Sequence, residues 1–284
     1  MPAYTIDDLE KRISGLANLP TLPGVLKRAE AMAGDDEACV NEVADVIAAD
    51  QVLSAKILRF INSPVYGFPG RISSVRHAIV LLGFNVVKGL VLGAAIFDAL
   101  GPPGRGLWGH SLGCALLSRS LSEQLGLDDP SEVMMAGLLH DIGKVGFIYL
   151  APDQWNEAAA LAEHEHMHIG AAEKQVFGAD HARAGGWIAA AWRFPVRLWE
   201  PIACHHRPSS AKEHRPVTSV VHVADILARS MGYGSPGDMT LPAFDEKAYH
   251  QLGVKLVHID AALREAEREY PAAASLFSTD GGEA

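Results

Sequence analysis

The sequence predicts an all-α fold, and three observations carry that prediction. Apolar residues recur at spacings of three and four along most of the 284 residues, the period of a helix with one buried face. Sustained alternation of apolar and polar residues, the mark of a half-buried strand, is nearly absent. The helical stretches are separated by capping and breaking residues, with Ser or Asn before them and Gly or Pro after them. At 49% hydrophobic, the chain has the apolar content to bury a sizeable core and is not disordered.

Each element follows in order. The first residues, MPAYTIDDLEKRIS, carry charge where a secretory leader would be apolar, so no leader is expected. Val43, Val46, Ile47, Leu53, Ile57, Leu58 and Ile61 lie on one helical face, with a break expected around 49–51. Ser63-Pro64 stops that stretch, because a residue before proline is pushed out of the helical region. Ser73 or Ser74 caps a helix through Leu82, and Asn85 one through Leu100. The apolar run 78–100 is interrupted by Gly83, Asn85, Lys88 and Asp98, so it falls short of the roughly 20 apolar residues of a membrane span. GPPGRG at 101–106 is the strongest punctuation in the chain and predicts a linker. It divides an N-terminal helical half, 1–100, from a second half, 107–232. Helices are expected near 108–126, 131–141, 153–163, 179–193, 197–206 and 214–231. A Gly/Pro-rich loop then leads to a last helix near 255–270 and a frayed tail, which make up a third segment, 233–284.

Charge and thiols exclude some functions. The 24 basic residues are scattered among 34 acidic ones for a net charge of −10, so direct nucleic-acid binding, which needs clustered Lys and Arg, is not expected. Cys39, Cys114 and Cys204 are too few and too far apart for a disulfide framework. Reduced thiols and a cytoplasmic location are the expectation.

The informative residues are polar ones placed where the helical pattern expects core. His110 shares a face with Cys114, Leu117, Leu121 and Leu125. His140 follows Val133 and Gly137, with Asp141 beside it. His181 lies in line with Gly185, Ile188 and Trp192, His205 with Leu198 and Ile202, and Asp225 with Val221 and Ala228. Burying one such group without a partner costs on the order of 1–3 kcal/mol, and a bare carboxylate costs far more. One buried His is ordinarily just hydrogen-bonded. Five helices each offering one are satisfied together by a shared divalent cation. The nitrogen and oxygen donors suit one or two ions of Fe, Mn, Zn or Co. Asp141 is the natural bridging ligand, since a carboxylate has two oxygens to share. If phosphoryl chemistry takes place there, Lys144 and Arg207 are placed to offset charge on its oxygens.

Other patterns are weaker. HEHMH at 164–168 fits a metalloprotease helix literally, but Ala171 and Lys174 stand where its extended form needs Gly and His, so a solvated His-rich turn is expected. His77, His214, His222, His250 and His258 have no partner pattern. Trp187, Trp192 and Trp199 read as core. Cys204 and His205 are adjacent on a helix and point about 100° apart, so they do not make a nucleophile and base pair.

LLHDIGK at 138–144, with an upstream His and a downstream Asp, resembles the HD superfamily of metal-dependent phosphohydrolases. The wider chain resembles the HDOD branch: NLPTLPGVL, DQVLSAKILRFINSPVYG and SVRHAIVLLG in the first half, and LWGHSL, GADHARAGGWIAAAWRFP, HH and VADILA in the second. The likeness runs over roughly 6–275. It implies a helical N-terminal half packed on a metal-binding HD half. It also implies that His110, His140, Asp141 and Asp225 are the four superfamily ligands. His181, His205 and His206 match histidines that hold a second metal in the related HD-GYP cyclic-dinucleotide phosphodiesterases, and Lys144 matches their phosphate-facing lysine. RPSSAKEHRP replaces their Glu and GYP segment, and Gly106 stands where trinuclear forms place a Glu. The resemblance therefore implies a regulatory signal-transduction protein working through a protein partner or a nucleotide. The alternative is an active phosphohydrolase on a nucleotide or cyclic dinucleotide.

Overall fold

The computed structural model describes residues 4–15, 72–83 and 101–275, together with Ser54, Ile57, Leu58, Ile61, Asn62, Val86, Val87 and Leu90. Val43, Val46, Ile47 and Leu53, the 49–51 break, Ser63-Pro64, the start of the Asn85 helix and Cys39 lie outside the described residues. So do the segment NLPTLPGVL and the tail.

Local chemistry accounts for the first two helix starts. Thr5 Oγ1 accepts the Asp8 N–H at 3.2 Å and opens α1 (Ile6–Ser14), which buries Leu9 and Ile13. Ser74 Oγ accepts the His77 N–H at 3.1 Å and opens α2 (Val75–Leu82), so of the two serines expected to cap this helix, Ser74 does it. Asn62 ties Leu58 to the residue that leads into α2: its side-chain amide donates to Leu58 O and Ile72 O, and its Oδ1 accepts the Ile72 N–H.

The GPPGRG segment is not a linker. It is helical throughout and belongs to α3 (Gly101–Gln124), the longest described helix. The boundary expected at 101–106 is therefore helical backbone.

Beyond it come α4 (Pro130–Leu139), α5 (Ile142–Leu150), α6 (Pro152–His164), α7 (Ile169–Phe177), α8 (His181–Ala191) and α9 (Val196–Cys204). A 3₁₀ turn at Pro208–Ser210, α10 (Arg215–Ser230), α11 (Glu246–Leu252) and α12 (Leu256–Ser275) complete the order. Among the described residues there is no strand. Four helices were not anticipated: α1, α5, α7 and α11. α5 reads IGKVGFIYL and is buried from Ile142 to Phe147; a helix covered all round shows no amphipathic period. The others are seven to nine residues long, although Ile6, Leu9 and Ile13 in α1 do keep the helical spacing.

Helix α3 is the central pillar, with α4, α10 and α12 packed around it, while α8 packs on α5, α9 and α1. The α5–α8 approach is backbone against backbone. A Cβ on Gly143 would lie 1.9 Å from His181 O and 2.6 Å from Gly185 N, so only glycine fits. On another side of α3, Ser235 N donates to Gly106 O at 2.9 Å, and a Cβ on Gly113 would meet the Tyr233 ring at 2.5 Å. The C-terminal segment is thus packed into the second half. Arg119 on α3 binds Glu269 at 2.9 Å and Glu265 at 3.4 Å on α12. Pro130–Leu150 is apolar enough by length and composition to cross a membrane; it is 83% buried inside the fold and is interrupted at His140-Asp141.

Candidate metal centre

The interruption between α4 and α5 builds the site. His140 keeps helical angles (φ −54°, ψ −36°), Asp141 departs from them (φ −94°, ψ 13°), and α5 restarts at Ile142. Both side chains are thereby presented to the space enclosed by α3, α8, α9 and α10. His110 comes from α3, His181 from the first position of α8, His205 and His206 from the end of α9, and Asp225 from α10.

These residues converge as expected. Asp141 Oδ2 lies 3.3 Å from His140 Nε2 and 3.6 Å from His110 Nε2; Asp141 Oδ1 lies 3.3 Å from His181 Nε2 and 3.9 Å from His205 Nε2. Asp225 Oδ1 lies 3.1 Å from His110 Nε2 and 3.9 Å from His140 Nε2. His206 Nε2 sits 2.8 Å from His181 Nε2 and 3.1 Å from His205 Nε2. Three sets of donor atoms, each within 4.8 Å of one another, result: His110, His140 and Asp225; His140, Asp141 and His205; His181, His205 and His206. All are buried except His206, whose side chain is 17% exposed and marks the solvent side.

The donor set fits divalent metal. His140 Nδ1 donates to Gly137 O at 2.7 Å and His205 Nδ1 to Ile202 O at 3.0 Å. His181 Nδ1 faces Glu173 Oε2 at 2.6 Å. A ring held by Nδ1 in this way turns its Nε2 lone pair inward, the arrangement of a metal-ligating histidine. Several inward atoms are buried without a hydrogen-bond partner: both nitrogens of His110, His140 Nε2, Asp141 Oδ1, Asp225 Oδ2 and His206 Nδ1. Such orphans are rare in folded proteins unless an ion or water satisfies them.

Electrostatics agree. Burial and the charge of Lys144 push His181 well below the usual histidine range; burial and His140 push His205 down to about 3; burial and His205 push His206 down. These rings are neutral, as ligands must be. Burial opposes the charge on Asp141, but His140, Lys144 and His181 outweigh it and hold the carboxyl well below its usual range. Burial likewise opposes Asp225, and Arg229 and His110 outweigh it. His140 is the exception: burial works against its charge, yet Asp141 raises it well above the usual value.

Lys144 is in the cluster, fully buried, with Nζ 2.6 Å from Asp141 Oδ2. Arg207 stands apart: it is exposed, and its backbone closes the turn after α9.

Four supporting residues escaped the sequence reading. Glu173, buried on α7, accepts the His181 backbone N–H at 2.7 Å as well as facing its Nδ1. Burial pushes this carboxyl well above the usual range. The readable signal was a Glu one turn before Val176 and Phe177, on a stripe that is otherwise apolar. Arg229 Nε donates to Asp225 Oδ1 at 2.9 Å, and its Nη1 to Asp238 Oδ1 at 2.8 Å. His222 donates from Nδ1 to His205 O at 2.7 Å and accepts the Asp245 N–H at Nε2, fixing the turn that carries His205. His168 corrects the reading of 164–168 as wholly solvated. His164 is exposed and His166 turns out at φ 51°, but His168 caps α7 and packs edge-on to His206 at 4.8 Å between ring centres. Burial and Arg229 push it down to about 4.

Comparison with known proteins agrees with this architecture. The family model "HDOD domain" matches residues 19–208, stopping short of Asp225, which the fold nonetheless brings to the cluster. A solved HDOD domain protein of unknown function from Geobacter sulfurreducens aligns at TM-score 0.72, with 24% identity, over 96% of this chain and 100% of its own. A protein of Shewanella amazonensis SB2B, provisionally named a phosphohydrolase, aligns at 0.67 with 21% identity over 94% and 98%. One of Marinobacter aquaeolei VT8, provisionally named a signal transduction protein, aligns at 0.69 with 19% identity over 96% and 65%. At such identities these show the fold. An uncharacterized protein of Treponema pallidum (strain Nichols) is 21% identical over 225 residues, 77% of this chain, and the chain spans 44% of that relative's length. With the family model covering well over half of its residues, the chain belongs to the HDOD domain family.

Proposed function

We propose that this chain is a cytoplasmic signal-transduction protein of the HDOD type that holds one or two divalent transition metal ions in its second half and acts through a protein partner or a nucleotide. The observation that carries this reading is Asp141. One of its oxygens faces His110 and His140, the other faces His181 and His205, and the surrounding inward atoms are orphaned. His110, His140 and Asp225 would hold one ion, and His181, His205 and His206 the other, with Asp141 between. The signalling name of the Marinobacter neighbour supports the regulatory part, and the free thiols Cys114 and Cys204 accord with a reducing compartment.

A second reading, metal-dependent phosphoester hydrolysis, is favoured by Lys144 beside the shared carboxylate and by the opening at His206. A divalent ion supplies Lewis acidity and an acidified water. The chain's own residues would do the rest: Lys144 would offset the charge of Asp141, Glu173 would orient His181, and the buried walls would exclude bulk water.

The test is elemental analysis of tag-free protein purified without oxygen, as wild type and Asp141→Ala, alongside turnover of bis(p-nitrophenyl) phosphate. One to two ions per chain in wild type, lost in the variant, is the expected result; no metal in wild type overturns the proposal. Turnover that vanishes with Asp141→Ala would favour the hydrolase, and its absence in metal-loaded wild type the regulator.

A further inference from the structure

Two buried donors beside the cluster have nothing to donate to. Arg229 Nη2 and His168 Nε2 are both shielded from solvent and lack a hydrogen-bond partner, although the Arg229 side chain is only 4% exposed. His168 Nδ1 accepts the Gly170 N–H at 3.2 Å, so the neutral ring carries its proton on Nε2, on the side turned away from the α7 backbone. Arg229 Nε donates to Asp225 Oδ1. In a planar guanidinium the Nε–H and the near Nη2–H lie parallel on one edge, so Nη2 points along Asp225 toward the cluster.

Asp238 fixes these donors in the same neighbourhood. One of its oxygens binds Arg229 Nη1 at 2.8 Å, and the other accepts the N–H of Ile169, next to His168, at 2.5 Å. Thr240 adds a bond to Met167 O at 3.2 Å and donates its own N–H to Asp238. His168 packs edge-on to His206, the one cluster residue with solvent exposure. His168 therefore lies beside the residue that marks the solvent side of the centre, with Arg229 deeper, against Asp225.

We infer that His168 Nε2 and Arg229 Nη2 form an anion subsite for a phosphoryl group whose remaining oxygen faces the metal positions. The inference deepens the metal-centre reading above and rests on it. The two unpaired atoms are both donors, while the orphaned acceptors beside them, Asp225 Oδ2 and His206 Nδ1, belong to the proposed metal ligands, so the group that the donors bind is rich in acceptor oxygens and negatively charged. Three directions need an oxygen: the imidazole, the guanidinium and the ions. A tetrahedral phosphoryl group supplies three, whereas a carboxylate supplies two. The subsite also assigns phosphate recognition to Arg229 in place of the exposed Arg207.

The experiment is calorimetric titration of the metal-loaded protein with inorganic phosphate and, separately, with a nucleoside 5′-monophosphate. It compares wild type, His168→Ala, Arg229→Lys and, as a control from the same turn, the exposed His164→Ala, with the metal content of each measured. The expected result is phosphate affinity at least tenfold weaker in His168→Ala and Arg229→Lys and unchanged in His164→Ala. Tighter binding of the monophosphate than of phosphate would mark the ligand as an ester; equal binding would mark it as the free anion. If Arg229→Lys also loses metal, His168→Ala, whose ring packs on His206 but hydrogen-bonds no proposed ligand, decides the matter at equal metal content. Metal-loaded wild type that binds no phosphate, or affinities within twofold across all variants, overturns the subsite and leaves the metal centre standing. Wild type without metal overturns both.

Discussion

Glu173 and His181 are joined twice: Glu173 Oε2 accepts the His181 backbone N–H at 2.7 Å and faces its Nδ1 at 2.6 Å. The pair fixes both the start of α8 and the orientation of the ring that begins it. A carboxylate on the far nitrogen of a metal-binding histidine holds its tautomer and raises its basicity.

Removing that carboxylate should weaken metal binding without removing a ligand. Glu173→Ala is expected to lower metal affinity about 10- to 100-fold, measured by competition with a chelating dye, with circular dichroism confirming an intact helical fold. Unchanged affinity would show that Glu173 serves packing alone.

Metal should stabilise the fold through the same atoms. At a free concentration about 100 times the dissociation constant, an ion that binds only the native state adds about 2.7 kcal/mol. Chelation is therefore expected to lower the thermal midpoint of wild type and to leave that of Asp141→Ala where it was. Equal midpoint shifts in the two proteins would contradict the shared role of Asp141.

The metal-free protein should lose stability as the solution is acidified below neutrality. His168 and His205 are held down to about 4 and about 3. His110, His181, His206 and His222 are also lowered. The unfolded chain takes up protons below about pH 6.5 that these native rings refuse. Their contribution is complete above that pH and is lost as pH falls toward 4 and then 3. Asp141 and Asp225, also lowered, add their loss below the ordinary aspartate value of 3.8. His140, raised by Asp141, acts in the opposite sense, and six rings against one set the direction. Urea midpoints at pH 7.5, 6 and 5 in the presence of chelator should decline in that order; a flat series would refute this.

Gly143→Ala probes the backbone contact that sets α5 against α8. Its Cβ would fall 1.9 Å from His181 O, so the helices must separate. Destabilisation of about 1–3 kcal/mol or more is expected from such overpacking, together with weaker metal binding because His181 moves with α8. A denaturant titration paired with elemental analysis checks both.

The converging cluster was legible in large part because His110, His140, His181, His205 and Asp225 broke a pattern, each on a stripe otherwise apolar; Asp141 came as the neighbour of His140 in LLHDIGK, and His206 only through the family likeness. Long amphipathic helices such as α10 were legible for the same reason. Helix α5 was not, since burial on all sides erases periodicity. GPPGRG misled because a run of Gly and Pro reads as a break, whereas the backbone at 101–106 is helical. Arg229 and His168 were hidden because their roles depend on Asp238, a loop residue whose position only the tertiary fold reveals.

The bond from Ser235 N to Gly106 O links positions well over a hundred residues apart, one turn before His110. Closure across so long a loop is slow and comes late compared with local pairing. As the chain emerges from the ribosome, α3 is complete more than a hundred residues before the wall that Tyr233 and α12 press against it. A nascent chain halted near residue 230 would thus have every proposed ligand present and the pillar that carries the first of them still half uncovered.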